Sequence, residues 1–556
     1  MPLTPASHGF RGAFREDLPA RAVYSEAAGI ARVLPRAVAM PVDADDAAVL
    51  VRWAAEHDVP LIPRGSGSSM SGGAVGDGVI VDMSRLDGIF APDAARRTIR
   101  CGPGAVRNAI DAAARMAGLR FPVDPSSGAF CTVGGMASTN AAGAHTLKYG
   151  STRPWVEALD CIFADGSRGE LRRGVPAPAL HIVQRALTEL APVVAEERAA
   201  PSRHTGVRKE SSGYGLADFA DSGELVDLIA GSEGTLALIV GLELRLAPLL
   251  PYSASVLGAF SSLEAAVVGA DAARRTGAIA CEALDRSFLD VARRGGAPVP
   301  VSESAESVLL AEVEASTHEE ATALARAIEV EFRAAGATEI MLALDEATEH
   351  SLWEIRHSAS PILNHLDPSL TSMQLIEDGC VPPDRMPEYV RGVRAALARQ
   401  ETRGVIFGHA GDAHMHVNTL VEVGRPDWRA RVEALLDEVT ALIARLGGTL
   451  AGEHGDGRLR APLLDRVWSP ESIAHFAAVK HAFDPRGILN PGAKVASPGA
   501  RAVTDVKYDP TLPPLPDAAR TVLVRVERER AYARSRLSML DEVEANARMD
   551  ARAGGA

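Results

Sequence analysis

Residues 407–420 read FGHAGDAHMHVNTL, and residues 450–457 read LAGEHGDG. In the first stretch His409 lies in a glycine-rich turn. His414, His416 and Asn418 follow at two-residue spacing, which on a strand turns all three side chains to one face. The second stretch is a strand end with Glu453 and His454 side by side. A lone histidine is usually an ordinary polar group. Three imidazoles within eight positions, joined by a carboxylate, form the ligand set of zinc or manganese sites that keep a coordination position open. Such a centre lowers the pKa of a bound hydroxyl, and an imidazole next to it can take the proton.

Three glycine-rich segments lie upstream: RGSGSSMSGGAVGDG over 64–78, PVDPSSGAFCTVGGMASTNAAGAHTLKYGST over 122–152, and GSEGTLALIVGLELRLAP from Gly231. Exposed backbone amides in such turns make concave nests for anions, and a dinucleotide pyrophosphate is the commonest ligand of that shape.

The elements that must position these groups follow from periodicity. Apolar spacing predicts a helix over 45–58, then a short strand from Val59 to Ile62, the glycine-rich turn, and a buried strand over 79–83. That order is strand, loop, strand, whereas a Rossmann fingerprint needs its glycines to open a helix. The segment 122–152 is poor in helix signals, and the segment from Gly231 becomes alternating strand. Beyond Pro248 a strand–helix–strand rhythm begins, with strands at 308–313 and 340–344 around a helix reaching Arg333. A second unit starts at Val405, and its helix carries Val432, Leu435, Leu436, Val439, Leu442, Ile443 and Leu446. This predicts an α+β domain with helices covering one face of a sheet. The expected division is a polar leader over 1–34, a first domain over 35–248, a second over 249–498, and a proline-rich linker with a peripheral charged helical tail over 499–556.

At 556 residues, 47% hydrophobic and 23% charged, the chain is long enough for two or three cores and has an ordinary globular composition. A net charge of -14 argues against nucleic acid or an anionic membrane as the main partner. The five cysteines form no C-x-x-C pair, so no iron–sulfur run is expected, and neither is a disulfide framework. No apolar run has signal-peptide or transmembrane length, and a cytoplasmic protein is expected.

Read together, the three glycine-rich segments and KESSGY at 209–214 resemble the FAD-binding domain shared by vanillyl-alcohol oxidase, D-lactate dehydrogenase and the glycolate oxidase flavin subunit. The resemblance covers roughly residues 38–248. It implies a two-part FAD-binding domain followed by a cap domain with ferredoxin-like units, and flavin contacts at Arg64, Gly65, Ser66, Gly67, Ser68, Ser69, Gly134, Gly135, Ser138, Thr139 and Glu233. Relatives that tether FAD through the first loop use a histidine there; Ser68 and Ser69 imply noncovalent FAD. The histidine segments resemble the GHxGDGNxH and GEHG motifs of D-lactate, glycolate and D-2-hydroxyglutarate dehydrogenases. By that resemblance His409, His416 and Glu453 hold a divalent metal, zinc or manganese, and His454 is the base. His414 replaces a family asparagine and is either an extra ligand or a neighbour of the ligands, while Ala413 replaces a family glycine. Arg356, in LWEIRHSASPIL, resembles a substrate-carboxylate arginine. The next strand, SMQLIEDGCVP, lacks the lysine of relatives that act on dicarboxylates. FDPRGILNPGAK ends the resemblance, with Asn490 and Lys494 expected to reach back toward the flavin.

The implied function is oxidation of a small D-2-hydroxy acid to the 2-keto acid, with electrons passing to a separate protein, quinone, cytochrome or dioxygen. Two rival readings meet the same residues. An ether-lipid synthase of the alkyl-dihydroxyacetone-phosphate type needs a phosphate site and a Tyr and His cluster not visible here. A non-catalytic electron-relay subunit should lack the metal ligands and base, all of which are present.

Overall fold

The computed structural model describes residues 4–296, 299–363 and 369–553. Asp43 caps the first long helix, Ala44–His57, by accepting a hydrogen bond from Asp46 N at 2.8 Å. The strands Leu61–Arg64 and Val79–Asp82 then pair in parallel, Leu61 opposite Val79, with the glycine-rich turn between them and no helix. Ala37–Met40 lies parallel on the other side of Val79–Asp82, and Ala13–Arg15 closes this four-stranded sheet as an antiparallel edge. A second four-stranded sheet is antiparallel throughout, in the order Thr98–Cys101, Leu238–Arg245, Val156–Ile162, Arg168–Arg172. The two sheets share one apolar core with Ala44–His57.

Within the helix-poor stretch the structure differs from expectation, because Val133–Thr139 is helical. Thr132 caps it, and Gly134 sits so close to Pro103 that a Cβ would come within 2.4 Å. Two glycines lower intrinsic helix propensity, but at Gly134 only the lack of a side chain allows this packing, so tertiary contact overrides propensity.

The tail departs from expectation. In the leader Leu18–Val23 is a helix, and the tail helices Asp517–Glu529 and Arg536–Ala553 pack on it. Val23, Tyr24, Val38, Ile80, Val522 and Leu540 form one buried cluster, so the tail covers the first sheet and is not peripheral.

The second domain is an eight-stranded antiparallel sheet, in the order Glu339–Ala343, Tyr252–Phe260, Ser307–Ala315, Ala280–Asp285, Arg403–His409, His414–Val421, Thr371–Met373, with Gly379–Cys380 also paired to His414–Val421. One face is covered by Leu263–Thr276, His318–Ala334, Met386–Arg399 and Trp428–Arg445. The expectation of one covered face is corrected, because Arg286–Arg294 and Glu346–Leu363 pack on the opposite face through Phe288, Leu289, Leu352 and Ile355. Strand alternation sends Met415 and Val417 into the first layer, leaving His414, His416 and Asn418 on the side of the second.

Candidate active site between the two domains

Register brings the first groups together. Glu282 pairs with His409 across one ladder and His409 pairs with His414 across the next, so a carboxylate and two imidazoles form a row across three strands. His416, two residues along the same face, lies opposite Phe407. A turn from the far end of the domain delivers Glu453 and His454. Asp378 holds that turn by accepting from Glu453 N at 3.2 Å and His454 N at 3.0 Å.

His409 Nε2, His416 Nε2 and Glu453 Oε1 converge: the two nitrogens are 3.4 Å apart, and they lie 3.3 and 3.4 Å from the oxygen. An ion bound at about 2.0–2.1 Å in tetrahedral geometry has ligand atoms roughly 3.3–3.4 Å apart, so the triangle fits a divalent metal. Each imidazole is oriented through its other nitrogen, His409 Nδ1 to Glu282 Oε1 at 2.5 Å and His416 Nδ1 to the Glu377 carbonyl at 2.7 Å. This second layer of hydrogen bonds is what metal-binding histidines require. Burial would lower the His409 pKa, yet Glu282 and Glu453 raise it to about 9, so the pocket favours positive charge. Glu453 Oε2 is neutralised by buried Lys209 at 2.6 Å. His414 differs from its neighbours. Its Nε2 is committed to Asp378 at 2.8 Å, its Nδ1 is buried with no hydrogen-bond partner, and burial pushes its pKa down to about 3.

His454 stands beside this triangle. Its Nδ1 bonds Glu377 Oε2 at 2.5 Å and its Nε2 lies 3.6 Å from Glu453 Oε1. Burial opposes protonation, but Glu377 and Asp378 outweigh it and raise the ring pKa to about 10; a divalent cation on the adjacent donors would act against that proton. Buried Arg460 neutralises Glu377 and, at 3.2 Å, Asp378. Arg356 projects from Glu346–Leu363, its Nε bonded to Glu282 Oε2 at 2.8 Å and its guanidinium 4.6 Å from the Phe407 ring centre.

All these groups except Lys209, Asp378, His414 and Arg460 line one cavity of about 1320 Å³, larger than the roughly 300–1,000 Å³ of ordinary small-molecule pockets. Its other wall is the glycine-rich turn with Gly65, Ser66, Gly67, Ser68 and Ser69, and the helix with Gly134, Gly135, Ser138 and Thr139. The Ser69 hydroxyl there is buried with no partner. Gly65 faces Thr132 where a Cβ would come within 2.1 Å, and Gly67 has φ 74°. The wall thus exposes backbone where a large anionic cofactor would need it.

Four residues expected at the flavin have their polar side-chain atoms engaged by protein groups. Arg64 lines the cavity, but its buried guanidinium donates to the carbonyls of Tyr24, Glu26 and Ala74 at 2.8–3.2 Å and so shapes the turn. Glu233 reaches the wall, but its carboxylate accepts from Asp456 N at 2.7 Å and Gly457 N at 2.9 Å, tying the first domain to the Glu453 turn. The Asn490 amide donates to the carbonyls of Gly73 and Glu233 at 3.0 and 2.7 Å. Lys494 is buried against Glu233 and Asp456 at 3.2 and 3.1 Å, and neither it nor Asn490 lines the cavity. Sequence reasoning also passed over Glu282, Glu377, Asp378, Lys209 and Arg460. The pair in SMQLIEDGCVP was readable as two adjacent carboxylates; Glu282 and Arg460 had no local signal. His145, in the second glycine-rich segment, spans the domains by bonding Asp124 at 2.5 Å and Glu312 at 3.2 Å.

Comparison with known proteins agrees with this layout. Residues 35–172 match the FAD binding domain model and residues 250–493 match the C-terminal domain model of FAD linked oxidases. The glycolate oxidase subunit GlcD of Bacillus subtilis is 29% identical over 495 residues, 88% of this chain and 95% of that protein. D-lactate dehydrogenase of Archaeoglobus fulgidus is 28% identical over 474 residues, 83% and 93% of the two chains. D-2-hydroxyglutarate dehydrogenase of Pseudomonas putida is 28% identical over 519 residues, 88% of this chain and 51% of that protein. Among solved structures, 4-ethylphenol oxidase from Gulosibacter chungangensis superposes with a TM-score of 0.64 at 15% identity, covering 87% of this chain and 94% of that one. An alkyldihydroxyacetonephosphate synthase gives 0.61 at 14%, covering 86% and 83%. Both of these structural likenesses concern the fold alone. With both domains matched in order and joined around one cavity, the chain belongs to the FAD-linked oxidases, enzymes built on the vanillyl-alcohol oxidase type of FAD-binding domain.

Proposed function

We propose that the protein oxidises a small D-2-hydroxy acid to its 2-keto acid, with noncovalent FAD on the glycine-rich wall and a divalent metal on His409, His416 and Glu453. The observation that carries this reading is the triangle of donor atoms 3.3–3.4 Å apart, lining the same cavity as His454 and the glycine-rich turns. When bound, FAD supplies the two-electron sink for the Cα hydride and the metal the Lewis acidity that lowers the hydroxyl pKa. His454 accepts the hydroxyl proton at Nε2, because Glu377 fixes Nδ1 and thereby the orientation of the ring. Arg356 takes the substrate carboxylate with its terminal nitrogens while Glu282 holds its Nε.

The wall near Arg356 carries Glu346 and Glu349, while Glu312 there is paired with His145 at 3.2 Å. A second carboxylate on the substrate would meet like charge, which favours the lactate and glycolate class over 2-hydroxyglutarate. The ligands and base support an enzyme and not an electron-relay subunit. The reduced flavin would pass electrons to a separate acceptor, a protein, quinone, cytochrome or dioxygen, and a cytoplasmic setting accords with the described residues, which include no helix long and apolar enough to cross a membrane.

The test is anaerobic mixing of the purified protein with a panel of D- and L-2-hydroxy acids while following flavin absorbance. A D-monocarboxylate should bleach the flavin, EDTA should suppress the bleaching, and His454→Ala should slow it by about 10²–10⁴ with FAD retained. Bleaching that survives both treatments at full rate overturns the mechanism.

A further inference from the structure

The segment KESSGY at 209–214 precedes the second domain by some forty residues, yet it is stitched to the turn of that domain which carries Glu453. Ser211 N donates to the Ala451 carbonyl at 2.8 Å, and the Ser211 hydroxyl accepts from Gly455 N at 3.0 Å. Asp456 accepts from the Ser212 hydroxyl at 2.8 Å and from Gly213 N at 2.7 Å. These bonds fix Lys209 against Glu453. The Lys209 side chain is 1% exposed, and its ammonium lies 2.6 Å from Glu453 Oε2, which has no other donor among the described residues. A further bond, to the Gly143 carbonyl at 3.4 Å, ties the ammonium to the second glycine-rich segment. Glu453 Oε1, in contrast, is the oxygen that meets His409 Nε2 and His416 Nε2 at 3.3 and 3.4 Å. The two oxygens of one carboxylate are thus assigned to two different tasks.

We propose that Lys209 is a positioning residue that limits Glu453 to one oxygen in the metal's coordination shell, keeping positions open for a chelating substrate. This inference rests on the metal reading above. A carboxylate can bind a metal through one oxygen or through both. An ion that must grip both the hydroxyl and the carboxylate of a 2-hydroxy acid needs two free positions. The buried ammonium holds Oε2 by a charge-assisted bond, and moving that oxygen to the metal would strand the ammonium away from water. Without Lys209, Oε2 is free to turn to the metal and fill a position that the substrate needs. The effect on the metal itself has the opposite sign, because removing a neighbouring positive charge favours a dication. A residue that merely supported the fold would weaken metal and substrate binding together.

The experiment is titration of metal-stripped, FAD-loaded protein with cobalt(II), read from the cobalt d–d bands, and then with oxalate, a chelating dianion. Lys209→Met should bind cobalt at least as tightly as the parent, show the weaker bands of a higher-coordinate ion, and bind oxalate at least tenfold less tightly. X-ray absorption of the unmodified protein loaded with zinc needs no variant to fold. It should place every ligand atom within about 2.0–2.2 Å, with none at the longer distance of a chelating carboxylate. An unchanged cobalt spectrum in Lys209→Met overturns the proposal even if oxalate binding falls, since lost charge alone would do that. A chelating carboxylate in the unmodified protein, or a tenfold loss of cobalt affinity in the variant, overturns it as well. Failure of the parent protein to bind cobalt or zinc at all would instead overturn the metal reading on which it stands.

Discussion

The triangle of donor atoms is held by residues that are not part of it. Glu282 serves two masters, His409 Nδ1 at 2.5 Å and Arg356 Nε at 2.8 Å, so it couples the donor set to the side chain assigned to the substrate carboxylate. Its pKa is carried down to about 2: burial would raise it, but His409 and Arg356 prevail. Glu282→Gln keeps the shape and removes the charge, and loss of such a partner typically weakens metal binding about 10–100-fold. Metal content after dialysis against a graded chelator should show that loss, with FAD content unchanged; retention of metal at the parent's chelator concentration would show that Glu282 does not orient a ligand.

Among the elements, the hairpin of Arg403–His409 and His414–Val421 decides the site, since its register sets His409 against His414. Its turn ends at Ala413, which has φ 54°, a left-handed conformation that costs an L-residue about 1–2 kcal/mol. Ala413→Gly should therefore stabilise the protein by roughly 0.5–1 kcal/mol once the extra freedom of the unfolded glycine is subtracted. Chemical denaturation measures this, and a less stable variant would mean that the Ala413 methyl group, buried in the cap core, contributes more than the strain costs. The second sheet gives a pH prediction. Burial pushes Glu243 up, but bonds from Arg172 at 2.7 Å and Arg100 at 3.2 Å win and bring it to about 2, below its ordinary 4.5. A depressed carboxylate contributes stability that is complete above its unfolded pKa and is lost as pH falls through the folded one. Stability should thus decline between about pH 4.5 and pH 2, and Glu243→Gln should flatten that part of the profile; an unchanged acid limb would remove Glu243 as a cause.

At the scale of the molecule, the two domains meet through buried charge. Lys494, fully enclosed, lies between Glu233 of the first domain and Asp456 beside the Glu453 turn, while Glu233 accepts the amides of that turn. Lys494→Met would leave two buried carboxylates without their cation, a loss of about 3–5 kcal/mol for such pairs. Because the same contacts position Glu453 and His454, the variant should lose stability and metal together; a fall in stability with metal affinity intact would confine Lys494 to packing. The tail adds a second form of closure, covering the first sheet through Val522, Val526 and Leu540 and reaching the cavity with Tyr532.

Periodicity and motif wording were enough to read the strand–loop–strand order around the glycine-rich turn, the strand–helix rhythm of the second domain, and the histidines and Glu453 as a group. Each is a local pattern of spacing on one element, written in consecutive residues. The helix Val133–Thr139, the layer carrying Arg356 and the docked tail were not legible, because packing against distant segments stabilises them over their own propensities. Glu282, Lys209, Asp378 and Arg460 lie 36 to 244 residues from the groups they orient, counting from Asp378–His414 to Lys209–Glu453, a pairing that only three-dimensional proximity creates. Nor could wording tell that Arg64, Glu233, Asn490 and Lys494 turn their polar atoms to backbone and buried charge, since a side chain's direction follows from what surrounds it after folding.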